Sequence, residues 1–191
     1  MKTEKCLDLL ATLAGTAVIP APEETPLYRS AEAVLGMARA YGSDGRTFLT
    51  SGDPVNALAS AWYGSGWLHF GITYGLLEMD LPVGCPFLTP CESLSSSCGG
   101  NLEEKTRRYQ KLLDTARESV KTAGEPATVS CRFSEKVLFI AALYAAQGTG
   151  YLRDGSCEDA LACFSYGHGW LDAGVTAGLF SITDHHDLFT V

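Results

Sequence analysis

The chain has 191 residues, 46% of them hydrophobic and 10% aromatic, and its net charge of −8 divides evenly between its halves. That length holds one large domain or two small ones, and neither half offers the basic footprint that nucleic-acid binding needs. Seven cysteines, an odd number with no CxxC pair, suit a reducing cytoplasm better than a disulfide framework.

In chain order, Lys2, Lys5 and the apolar stretch Leu7 to Ile19 superficially outline a secretory leader, but Asp8 interrupts it. The spacing of Leu9, Leu10 and Leu13 predicts instead a first helix over Thr3–Val18. A loop with Pro20, Pro22 and Pro26 leads to a second helix over Pro26–Ser51, with Thr25 as N-cap and proline in the first turn. Gly45 lies inside that helix. A mid-helix glycine costs about 1 kcal/mol against alanine, so its presence predicts a close contact there.

Gly52 is a left-handed stop, and Asp53 with Pro54 starts the third helix at once, which makes an antiparallel hairpin. From Pro54 to Leu77 there is no charged residue, a length that could cross a bilayer. The rest of the chain argues otherwise. Residues 48–77 align without a gap on 151–180, at an offset of 103, with 14 identities in 30 positions, among them Tyr63/Tyr166, Gly66/Gly169 and Trp67/Trp170. In the second version the same element carries Glu158, Asp159 and Asp172, and homologous elements rarely divide between lipid and water.

The second unit therefore repeats the first. Its helices are predicted over Leu102–Thr122, Cys131–Asp154 and from Ser156 onward, with Ser156 as N-cap and Gly148 matching Gly45. The run Lys105, Arg107, Arg108 and Lys111, interleaved with Glu103, Glu104 and Asp114, reads as a solvated face. Residues 81–101, rich in proline, serine and glycine, form a connector. In both third helices a stripe of small residues (Gly64, Gly71, Gly75 and Gly167, Gly174, Gly178) predicts the close approach of another helix. The aromatic set Tyr63, Trp67, Phe70 and Tyr74 predicts that the first copy hides more apolar surface, against the second unit or another subunit.

Chemistry-bearing residues are few. His168 and Asp172, at i,i+4 on an apolar stripe, could form a site in which the carboxylate sets the tautomer of a metal-binding or catalytic imidazole. The competing reading is a structural pair. Tyr166 and Trp170 on the same helix are further ligand-binding candidates. The first copy has Ser65 and His69 in place of the pair, which predicts that its role is not duplicated. Metal-ligating candidates are His185 and His186 in the tail, and Cys85, Cys91 and Cys98, whose spacing is wider than structural zinc sites use. No phosphate loop, dinucleotide turn or nucleophile elbow occurs, so no catalytic residue and no cofactor is predicted.

The run from Gly155 to Phe180, with its core His-Gly-Trp-Leu-Asp-Ala-Gly, resembles the archaeal family catalogued as domain of unknown function 357. The likeness extends from about Glu103 to the Leu-Phe-Thr-Val end, and the first copy looks like a diverged version. It implies a left-handed three-helix bundle per copy, of the spectrin or albumin-binding-domain kind, an archaeal cytoplasmic source and no established activity. Tetratricopeptide repeats, of about 34 residues, do not match the period.

The reading is an all-α protein of two tandem three-helix bundles, 1–80 and 102–191, packed through their Gly-rich third helices. Its expected role is non-enzymatic binding or scaffolding for a protein partner, without nucleic acid or membrane, with assembly into several copies left open. The alternative is a metal- or small-ligand-dependent function, an enzyme included, centred on His168 and Asp172.

Overall fold

The computed structural model describes residues 2–79, 94 and 99–190. Its helices are α1 (Lys2–Thr16), α2 (Pro26–Thr50), α3 (Pro54–Tyr74), α4 (Gly99–Glu118), α5 (Val129–Arg153) and α6 (Cys157–Thr176). The fold is all-α in two halves, as the repeat predicts. α1, α2 and α3 pack on one another, α4, α5 and α6 do the same, and α3 lies along α6 to join the triplets. One hydrophobic cluster runs through both triplets.

Helix boundaries follow local chemistry. The Thr25 hydroxyl accepts from the Tyr28 N–H at the start of α2, and its counterpart Thr128 accepts from Cys131 at the start of α5. Asp53 caps α3 through the Asn56 N–H. Ser156 stands at the N-cap of α6 without making the expected side-chain bond, and Glu158 and Asp159 in the first turn meet the helix dipole instead. Gly52 and Gly155 stop α2 and α5 at φ of 81° and 79°.

Two predicted helices are too long. The first ends at Thr16 rather than Val18, and the fourth at Glu118 rather than Thr122. Val120–Thr122 forms β1 and pairs antiparallel with β2, Phe180–Ile182, while the first copy keeps only the bridge Val18 to Glu78. The cause is local and tertiary together. β-branched Val120 and Thr122 favour extended backbone, and the Ser119 carbonyl is taken by the Thr183 N–H and hydroxyl, not by a further helical turn.

The third helices pack as expected but through other glycines. Gly66 and Gly169 mark the crossing: a Cβ built on Gly66 would lie 2.6 Å from the Tyr166 carbonyl oxygen, and one on Gly169 would collide with the Tyr63 carbonyl oxygen. Gly64 and Gly167 face Leu10 and Leu113, and Gly71 and Gly174 face Leu77 and Phe180, all within their own triplet. Residues two apart point about 200° apart round a helix, so Gly64 serves one partner and Gly66 the other. Gly75 and Gly178 are left-handed helix ends, not packing positions. Gly45 and Gly148 do make close contacts, with the Leu7 side chain and the Phe164 ring.

The burial predicted for α3 is met by the second triplet. Phe70 packs edge-on against Phe133 of α5 and Trp170 of α6, at 5.9 and 5.8 Å between ring centres, and Tyr74 lies 4.6 Å from Phe133. α6 is as fully enclosed as α3. On α4, Arg107 pairs with Glu103 at 2.9 Å on the solvated face, but Lys105 reaches across to Asn56 at the start of α3. Among the described residues no helix is long and apolar enough to cross a membrane.

Candidate functional site

The α3–α6 crossing carries two tyrosines outward from the turns beside Gly66 and Gly169. Tyr63 donates to Asp172 Oδ2 at 2.5 Å, from the first triplet into the second. Tyr166 bonds His69 Nδ1 at 2.8 Å in the opposite sense. The offset of 103 maps Tyr63 on Tyr166 and His69 on Asp172, so the two bonds are one interaction used twice. Each tyrosine is backed by a second ring: Tyr41 lies 4.5 Å from Tyr63, and Tyr144 lies 4.4 Å from Tyr166. The first copy lacks the His168 and Asp172 pair, having Ser65 and His69 there, yet the second of the two positions acts alike in both copies. The hydrogen-bonding position survives in both copies while the chemical group changes.

Asp172 is wholly buried. Besides Tyr63 it accepts from the Thr190 N–H at 2.9 Å and the Thr190 hydroxyl at 2.7 Å. Its bonds therefore go to the other triplet and to the segment after β2, not to His168. Burial, then the Asp172 charge, pushes the Tyr63 phenol well above 10, so Tyr63 remains a protonated donor. His69, packed away from water, is depressed to about 4, and the buried Cys163 thiol is pushed up to about 12.

His168 comes from the same face of α6 and is 6% exposed. Its ring stands edge-on to Tyr63, with centres 5.4 Å apart. Burial lowers its basicity, opposed by the Asp172 charge and by the Leu188 backbone nearby. Nε2 is buried and has no hydrogen-bond partner.

That nitrogen belongs to a residue lining a cavity of about 250 Å³. Tyr41, Tyr63 and Tyr109 wall it with Ser60, His168 and Thr190, and the segment 187–190 closes one side. Phe189 in that segment is buried, and residues 186–188 form a 3-10 turn. The triplets and this segment thus build the cavity jointly.

Of the ligand candidates, His168 alone lines the cavity. Asp172 stands behind it, bonded to two lining residues, Tyr63 and Thr190. Tyr166 and Trp170 belong to the opposite side of the crossing, where Tyr166 meets His69. His185 is exposed, 3.8 Å from Asp184, and His186 is exposed beside it; neither lines the cavity. Cys85, Cys91 and Cys98 lie outside the described residues. Among the described residues no group of three or more His, Cys, Asp or Glu could hold a metal ion.

Sequence reasoning passed over Tyr41, Tyr63 and Thr190 as site residues. A signal existed for the tyrosines, since both copies keep them at positions 41/144 and 63/166. Nothing local marked Thr190.

The Tyr63 bond ends on a buried carboxylate and the Tyr166 bond on a neutral ring. Removing the first should cost more: about 2 kcal/mol for Tyr63→Phe against about 1 kcal/mol for Tyr166→Phe, read from urea unfolding. Equal losses would show that the Tyr63 bond is no stronger than the bond to a neutral ring.

A family model described as Protein of unknown function (DUF357) matches the chain twice, at residues 7–77 and 108–180. The chain belongs to this family. The two matched stretches are the two helical triplets, so one family unit supplies three helices and the cavity needs two units. No curated protein and no solved structure matches the chain.

Proposed function

We propose that this member of the family is a non-enzymatic binding protein for a small molecule, held in the cavity between the triplets. The observation that carries the reading is His168 Nε2: buried, without a hydrogen-bond partner, in a residue that lines a cavity of about 250 Å³. A buried polar atom left unpaired costs about 1–3 kcal/mol, and a ligand that drew the His168 ring toward the cavity would relieve that cost. The non-enzymatic part rests on Asp172. The carboxylate that would orient a catalytic imidazole instead accepts its hydrogen bonds from Tyr63 and Thr190. A scaffold role for a protein partner has weaker support, from Phe139 and Leu143, exposed one turn apart on α5 where the first copy has Gly36 and Ala40.

Untagged protein prepared without chelator is expected to show a native mass above its denatured mass. The excess should vanish in His168→Phe while the melting temperature holds. A wild-type native mass with nothing added, together with a His168→Phe variant that melts higher, would mark the cavity as a packing void and end the reading.

A further inference from the structure

The outer face of α5 is apolar at its centre and charged at both ends. We propose that it is the contact for a second copy of this chain, with the two α5 helices antiparallel about a two-fold axis at Leu143. The cavity plays no part in it.

Helical geometry gathers the residues. At 3.6 residues per turn, Arg132, Lys136, Phe139, Leu143, Ala146 and Asp154 fall within a stripe about 80° wide. Phe139 and Leu143 are 67% and 50% exposed, and Ala146 is exposed beside them. The first copy has Gly36, Ala40 and Ser43 at these three positions. Each chain therefore offers one such face, and a face that pairs with itself closes at two copies.

Three observations choose a second copy over a foreign protein. First, the stripe complements itself in size. With Leu143 on Leu143 of the second copy, an antiparallel α5 brings Phe139 over Ala146, large on small. Lys136 then falls over Gly150, which has open space around it. Second, the charges match in that direction and clash in the other. Arg132 and Glu135 lie in the early turns of α5, Arg153 and Asp154 at its end, and among the described residues none of the four makes an ion pair. The same register sets Arg132 level with Asp154 of the second copy, and Glu135 close to the level of Arg153 on the same edge. A parallel pair would set each charge against itself. Third, Asp154 is exposed at the C-cap of α5, where the helix dipole disfavours an anion. Arg132 of the second copy offsets that. A foreign partner would have to bring every one of these complements, and this chain already carries them.

The face of one helix is small for a specific interface, so the dissociation constant is expected on the order of 10 μM. Sedimentation equilibrium of the full chain, from about 1 μM to about 1 mM, reads the mass directly. The expected result is one chain at the dilute end and two at the concentrated end, with nothing larger. Phe139→Glu should leave a single chain throughout and, at an exposed position, keep the melting temperature of the dilute protein. Leu143→Glu repeats the test at the two-fold axis. Asp154→Arg should weaken the pair about tenfold, since it acts at both ends of the contact, and adding Arg132→Asp should restore it.

A single-chain mass at every concentration overturns the proposal and leaves the face to a foreign protein. A dimer that forms equally well in Phe139→Glu and Leu143→Glu places the contact elsewhere and overturns it too. A dimer lost in those two variants but indifferent to the charge reversal and its restoration overturns the antiparallel register.

Discussion

Gly169→Ala is expected to be among the most destabilising single substitutions, at about 3 kcal/mol. The added methyl would collide with the Tyr63 carbonyl oxygen of α3. That obstacle is backbone, which cannot rotate aside as a side chain can. Gly66→Ala should behave alike, since its Cβ would meet the Tyr166 carbonyl oxygen at 2.6 Å and the Gly169 Cα at 3.1 Å. To accept either methyl, α3 and α6 must separate along a line where both are wholly enclosed. Controls come from helical glycines with open space around them: Gly36→Ala and Gly150→Ala meet nothing within 4 Å and should gain up to about 1 kcal/mol from helix propensity. Urea unfolding separates the groups. A loss in Gly169→Ala no larger than the change in Gly36→Ala would mean that the helices do not meet there. The effect also reaches the cavity, because Tyr63 leaves α3 from the turn that would be displaced.

Acid should weaken the fold through His69. Its folded value is about 4 against an ordinary 6.5, because burial disfavours the charged ring. As pH falls below 6.5 the unfolded chain takes up a proton that the folded chain refuses, so the proton count is higher in the unfolded state and stability drops. The loss from this group begins near pH 6.5 and is complete near pH 4, where it amounts to about 3 kcal/mol. Above pH 6.5 the group contributes no pH dependence. His168 is shifted in the same direction, and adds to the same acid-side loss. His69→Gln keeps an acceptor for the Tyr166 hydroxyl and removes the titration. Its stability should therefore fall by about 3 kcal/mol less than wild type between pH 7 and pH 4. The comparison is of slopes, so a constant cost of the substitution does not matter. Superimposable pH profiles would show that His69 is not held neutral by burial.

Position 69/172 also explains how a duplicated unit can acquire an asymmetric site. Both copies use it to bond a tyrosine of the other copy. A neutral histidine does this at the cost of one imidazole, whereas Asp172 has acceptor capacity to spare and uses it to hold Thr190. The segment 187–190 then closes a cavity on that side, and position 168 carries a histidine where the first copy has Ser65.

The sequence by itself determined the repeat, the all-α class, the three-helix unit and most helix ends. Those follow from short-range chemistry: Thr25, Asp53 and Pro54 at helix starts, Gly52 and Gly155 at stops, and apolar residues at helical spacing. It also predicted that the third helices pack together, because α3 carries no charge and must be covered. Tertiary structure decided which glycines meet, since Gly64 and Gly66 look alike in sequence and differ only in the direction they face. It decided that Val120–Thr122 leaves the helix, because the partner strand Phe180–Ile182 lies 60 residues away. Above all it decided the site. A carboxylate at i,i+4 from a histidine looks like a pair on a helical wheel, but a hydrogen bond goes to whichever donor the fold brings within reach. For Asp172 those donors are Tyr63, 109 residues earlier, and Thr190, 18 later, and that choice leaves His168 Nε2 buried without a partner.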